Sequence, residues 1–181
     1  MHTLKPNSPV TGKTMTLVTL EEGLQAFQCH DSGGHYIPAI SYMKWLEKQP
    51  ARLPHLAESG SSIEAGIDSS AALICPESGT VMARYKVGHG FAFSINRSIT
   101  GGIWLDGGEW QALRQRNFHD EIHLVFTAPW QKHIRDEQAQ ATYNERLMSG
   151  LGPEILEHLD FLRSELANHP HRNLALAYLA R

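Results

Sequence analysis

The sequence predicts an α+β protein in which two repeated hairpin-plus-helix units precede a helical C-terminal segment. Three observations predict it. Glycine-centred strings recur at a nearly fixed offset, β-branched alternating runs flank glycine turns, and leucines recur at helical spacing near the end of the chain. A chain of 181 residues, 41% hydrophobic and 19% charged, suits one compact domain or two small ones. No apolar run reaches the roughly 18 residues of a membrane span. Met1 is followed by polar His2-Thr3-Leu4-Lys5-Pro6 rather than by a signal-peptide core. The expected location is therefore the cytoplasm, with no membrane partner.

The repeat orders the elements. Ser8-Pro9-Val10-Thr11-Gly12 matches Cys75-Pro76-Glu77-Ser78-Gly79, and Met15 and Gly23 match Met82 and Gly90, at an offset of 67. Cys29 to Gly34 then matches Arg97 to Gly102 at an offset of 68, continuing through Tyr36/Trp104, Ile37/Leu105 and Tyr42/Trp110. One inserted residue in the second hairpin accounts for the change. Met15 to Leu20 alternates as a strand before the Glu22-Gly23 turn. Val81–Val87 and Phe91–Ile95 flank Gly88-His89-Gly90 as a second hairpin. The glycine pairs 33/34 and 101/102 mark turns that need positive φ. Pro38 opens a helix through Tyr42, Trp45 and Leu46. Asp106 and Glu109 have capping-box spacing, which predicts a helix over about 107–116. Residues 50–72, rich in Pro, Ser and Gly, read as a linker. The expected boundaries are 1–49, 50–72, 73–118 and 119–181. The last region is helical from Ala128 to about Met148, resumes at Pro153 and ends in a short helix after Pro170. Its apolar stripes are expected to pack as core. Leu124-Val125-Phe126 suggests a strand.

Cys75-Pro76-Glu77-Ser78-Gly79 together with Gly101-Gly102-Ile103-Trp104-Leu105-Asp106-Gly107-Gly108-Glu109 resembles the bacterial zinc-ribbon family related to the ribbon of transcription factor IIB. The two units would cover residues 8–48 and 75–116. The resemblance implies four metal-ligand positions per unit: Ser8, Thr11, Cys29 and Ser32 in the first, Cys75, Ser78, Arg97 and Thr100 in the second. In each, one thiol of four remains. Neutral hydroxyls are poor zinc ligands, and Arg97 repels a cation at close range. The expectation is an α+β fold of two zinc-ribbon-like units lacking metal, packed with the C-terminal helices, and with no cofactor.

Charge narrows the function. Sixteen Lys and Arg stand against 19 Asp and Glu, a formal charge of −3, which weighs against a general polyanion binder. Two cysteines in a reducing compartment are expected as free thiols. His119-Asp120-Glu121-Ile122-His123 lacks the H-E-x-x-H order of a helical zinc site. No G-x-S-x-G elbow is present. The chain therefore reads as a non-catalytic adaptor whose partner is another protein. Two alternatives stay open. One is a nucleic-acid-associated regulator, using Arg84, Lys86 and Arg97 on phosphates and Tyr85 to stack on bases. The other is an enzyme with an unrecognised site.

Overall fold

The computed structural model describes residues 5–21, 23–50 and 69–180. Most of the expected linker, residues 51–68, lies outside the described residues. The first half of the chain forms β1 (Thr16–Glu21), β2 (Leu24–Gln28), β3 (His35–Ile37) and α1 (Ala39–Leu46). The same order returns as β4 (Ala83–Gly88), β5 (Phe91–Arg97), β6 (Ile103–Leu105) and α2 (Glu109–Gln115). Gly23 (φ 79) turns the first hairpin, and Gly88, His89 and Gly90 turn the second, all three with positive φ. Pro38, with φ −60, stands at the N-cap of α1.

The six strands form one antiparallel sheet in the order β1-β2-β3-β6-β5-β4. At its centre His35 pairs with Leu105, Tyr36 with Trp104 and Ile37 with Ile103. Tyr36 and Trp104 hold equivalent places in the two halves, so this register sets a local two-fold axis at their pair. Rotation about it exchanges the other two pairs. Both central strands are buried at every residue, as strands covered on both faces must be.

Two apolar clusters hold the sheet. The larger packs Tyr42 and Trp45 of α1 and Trp110 and Leu113 of α2 against Leu24, Ala26, Val87, Phe93 and Ile95. The smaller gathers Met15, Cys29, Tyr36, Leu73, Cys75, Met82 and Trp104 around the glycine turns.

Residues 119–134 join the first cluster rather than a separate helical region. The expected strand at 124–126 is instead a single helical turn, α3 (Ile122–Val125). Ile122 and Val125, three positions apart, both bury on one side, and the Tyr42 hydroxyl donates to the His119 carbonyl at 3.1 Å. A longer helix, α4 (Ala128–Leu166), follows. Its Trp130 Nε1 donates to the Val87 carbonyl and its Gln131 Nε2 to the Lys86 carbonyl, both at 2.9 Å.

The chain divides into a compact unit ending at Ile134 and a second beginning at Arg135. In the second, α4 is interrupted at Gly152 (φ 79, ψ 164) before Pro153, and α5 (Arg172–Leu179) follows Pro170. No described residue of this unit is buried, which corrects the expectation that its apolar stripes form core. A segment this small has a high surface-to-volume ratio and so buries a smaller share of its surface than a larger domain does. Among the described residues, no helix is long and apolar enough to cross a membrane.

Candidate functional site

The glycine turns place the residues at the predicted ligand positions. In the first turn of each half, Ser8 N–H donates to the Lys13 carbonyl (2.7 Å) and Cys75 N–H to the Thr80 carbonyl (2.8 Å). Gly12 N–H and Gly79 N–H close the same turns onto the carbonyls of Ser8 and Cys75, both at 2.9 Å. Gly12 and Gly79 have φ near 70, a conformation that strains any residue with a Cβ. In the second turn, Cys29 N–H donates to the Gly34 carbonyl (2.9 Å), and its counterpart runs from Ser98 N–H to the Gly102 carbonyl (2.8 Å). That turn is one residue shorter in the second half. Ser98, not Arg97, therefore stands where Cys29 stands in the first.

Ser98 is buried. Its Oγ accepts from Gly102 N–H at 3.1 Å and lies 2.7 Å from Thr100 Oγ1. Arg97 is exposed, its guanidinium 5.0 Å above the Phe126 ring. The assignment of Arg97 to the ligand set is corrected accordingly, because an extended cation has no place in a buried turn.

All four predicted positions of the first half do converge. Thr11 Oγ1 lies 3.3 Å from Cys29 Sγ. Ser8 Oγ accepts from the N–H groups of Val10 and Thr11, and Ser32 Oγ accepts from Gly34 N–H, each at 3.3 Å. Burial pushes the Cys29 thiol up, but hydrogen bonds from Ser32, Ser8 and Thr11 together outweigh it and bring the group down to about 7. This is a pocket of donors around one sulfur. It suits a thiolate and does not fit zinc, which needs further anionic or imidazole ligands in place of hydroxyls. Among the described residues, no group of three or more His, Cys, Asp or Glu is placed to hold a metal ion.

The second half is completed by the first. Tyr36 Oη donates to Glu77 Oε2 at 2.9 Å and lies 3.4 Å from Cys75 Sγ. Ser78 N–H points at the same sulfur from 3.5 Å, while Ser78 Oγ bonds Thr80 Oγ1 at 2.8 Å. Burial raises the Cys75 thiol, yet hydrogen bonds, those from Ser78 foremost, bring it down to about 7. The Tyr36 hydroxyl is pushed upward by burial and stays neutral. The exchange is mutual across the two-fold axis. Tyr36 lies over Gly102, where a Cβ would fall within the hydroxyl's envelope and 2.5 Å from Cζ. Trp104 lies over Gly34, where a Cβ would sit 2.8 Å from Cη2. In each glycine pair the first residue supplies positive φ and the second supplies room for the other half's ring.

Asp106 anchors the start of α2. Its N–H donates to Glu109 Oε2 at 2.7 Å, one arm of the expected capping box. Its carboxylate accepts instead from Trp104 Nε1 (2.8 Å), Ser69 N–H (2.6 Å) and Ser69 Oγ (3.0 Å). A cleft of about 670 Å³ opens between the first turns, its lining including Pro6, Pro9, Phe27, Ile74, Cys75 and Glu77.

The predicted nucleic-acid residues are dispersed or engaged. Tyr85 packs edge-on against Phe126, ring centroids 5.1 Å apart, and Arg84 Nη1 donates to the Ser69 carbonyl at 2.6 Å. Lys86 is exposed. Tyr36, Glu77, Ser98 and Ser69 were not expected at the site. Ser98 had a signal, since a small hydroxyl suits a buried turn better than arginine does. Tyr36 and Glu77 had none without the strand order.

No protein-family model, curated protein or solved structure matches this chain.

Proposed function

We propose that this is a non-catalytic, protein-binding adaptor built on two metal-free zinc-ribbon-like units. The observation that carries the reading is the uncovered apolar surface of residues 135–180. Phe161 is 62% exposed and Tyr178 76% exposed, and Tyr143, Met148, Ile155 and Leu174 are exposed with them. Helices with no core of their own draw little stability from propensity alone, so a protein surface is the natural cover for them. The zinc-ribbon-like part of the reading draws on the repeated turns and on the hydroxyls gathered at Cys29. Both thiols are nearly inaccessible, at 2% and 1% exposed, which supports a structural role over a nucleophilic one.

The nucleic-acid alternative is the weaker reading, because the ring offered for stacking already packs on Phe126. Affinity capture from the native cell, with the intact chain and with F161E/Y178E, tests the choice. These exposed substitutions leave the circular dichroism unchanged and abolish recovery of a stoichiometric protein partner. Recovery of nucleic acid alone, with steep salt dependence, or equal protein recovery by the variant, refutes it.

A further inference from the structure

The two-fold relation allows one half of the sheet to be compared with the other. In each half the second glycine turn meets the start of the opposite half's helix, and the two enclosed spaces differ. Beside Gly33 lies a cavity of about 570 Å³. Beside Gly101, at the equivalent place, it is about 170 Å³. His35, Gly107 and Gln111 line the first where Ile103, Ala39 and Met43 line the second. An imidazole, a bare backbone and a carboxamide thus stand in place of three apolar side chains. Asp31, also in the first lining, takes the position of Ile99. A Cβ at Gly107 would strike the Ser32 carbonyl oxygen, so only glycine fits against that acceptor. Close packing accounts for the second space and leaves the size and polarity of the first unexplained.

We infer that the larger cavity is a binding site for a guanidinium group. Among the described residues its lining carries the carboxylates of Asp31 and Asp106 and no Lys or Arg, which disfavours an anion and attracts a cation. Asp106 already accepts from Trp104 and Ser69 and contributes charge alone. Asp31 is the accessible carboxylate, its side chain 45% exposed and paired with Lys13. Surface pairs of this kind are weak, so an entering cation displaces the lysine. His35 is 4% exposed, and its Nδ1 has no hydrogen-bond partner among the described residues. Burial holds it below the ordinary histidine value, so at neutral pH the ring is uncharged and keeps one nitrogen as an acceptor. The side-chain carbonyls of Gln28 and Gln111 add acceptors on other walls. A guanidinium suits such a lining, being planar, always charged, weakly hydrated and furnished with five N–H donors. A metal ion does not, because no three His, Cys, Asp or Glu among the described residues are placed to hold one. The volume falls in the range of small-ligand sites, about 300–1,000 Å³. This inference does not rest on the reading of residues 135–180.

Two-dimensional NMR of the full chain, titrated with ethylguanidinium over about 0.1–10 mM, tests the inference. The expected result is saturable shifts confined to amides 28–35 and 106–111, weakening as salt is raised. Ethylammonium, glucose and acetate at the same concentrations move them far less. Asp31→Asn weakens binding by about tenfold or more, and Lys13→Ala, which removes the competing cation, tightens it. Both substitutions change exposed side chains and leave the circular dichroism unaltered. D31I/Q111M, which installs the residues of the second half, abolishes binding. A blocked arginine tripeptide separates two sources of the group. Binding tighter than ethylguanidinium by about tenfold, equivalent to about 1.4 kcal/mol, assigns it to an arginine of a protein partner, and equal binding assigns it to a free small molecule. Absence of saturable shifts, an equal response to ethylammonium, glucose or acetate, or undiminished binding by Asp31→Asn overturns the inference.

Discussion

Gly102→Ala tests the mutual insertion at the two-fold axis most directly. The new methyl falls within the envelope of the Tyr36 hydroxyl and 2.5 Å from Cζ, and the ring belongs to a filled cluster, so it cannot simply swing to solvent. Overpacking of this kind costs about 1–3 kcal/mol. Displacing the hydroxyl also loosens its hydrogen bond to Glu77, worth about 0.5–1.5 kcal/mol. Together the loss comes to about 1.5–4.5 kcal/mol. At about 3–4 °C per kcal/mol for a domain of this size, Tm falls by roughly 5–18 °C. Urea unfolding followed by tryptophan fluorescence reads it, since Trp104, Trp45 and Trp110 are all buried. Tyr36→Leu removes the obstructing ring, so in that background Gly102→Ala costs about 1 kcal/mol or less, a coupling a double-mutant cycle resolves. A Gly102→Ala loss below about 0.5 kcal/mol, or additive losses in the cycle, would refute the insertion.

Three further outcomes are expected. Asp106→Ala strands Trp104 Nε1 and frees Ser69, lowering unfolding stability by about 1–3 kcal/mol in the same urea assay. Cys29 is held near 7 in the folded chain against an ordinary value of 9.0. The folded state therefore releases a proton that the unfolded chain keeps between those pH values. This contribution grows as pH rises from 7 to 9 and is lost as pH falls through 7. Cys29→Ser flattens that part of a urea-midpoint profile, leaving a slope of the same sign from Cys75. Finally, S8C/T11C/S32C gives the first turn pair four thiols around one point, so it takes up one zinc. Cobalt substitution reads the site by its tetrahedral thiolate absorption, and the unmodified chain gives no such signal.

What was legible in the residues was what backbone geometry forces. Gly12, Gly33, Gly79 and Gly101 all have positive φ, which leaves little choice but glycine, so the two halves kept matching strings there. Pro38 and the Asp106–Glu109 spacing located the helices for the same local reason. The one-residue slip between Arg97 and Ser98 was hidden because an alignment anchored on Gly101-Gly102 absorbs it without penalty. The contact between Tyr36 and Cys75 joins residues 39 positions apart and depends on β3 lying beside β6. A hint did exist. Tyr36-Ile37 and Ile103-Trp104-Leu105 run apolar without alternating, as central strands do. The uncovered residues 135–180 carry the helical spacing of a core-facing stripe, and spacing alone does not say whether another surface faces it.

On the zinc-ribbon-like reading, the manner of cohesion changes along with its strength. A bound ion ties two turns of one unit to each other, so each unit can fold by itself, drawing on about 10–16 kcal/mol of metal binding. Here Cys29 and its hydroxyls tie the turns of the first half by hydrogen bonds, each worth only about 1 kcal/mol. The remaining space in each half is filled by an aromatic ring from the other: Trp104 over Gly34, and Tyr36 over Gly102. Neither half is complete without its neighbour's ring, and the three-residue strands that carry those rings join the two halves by pairing with each other at the centre of the sheet. Residues through Ile134 should therefore unfold in one transition. A chain cut between the two halves would leave both pieces without a filled core, because what each glycine notch encloses is encoded about 68 residues away.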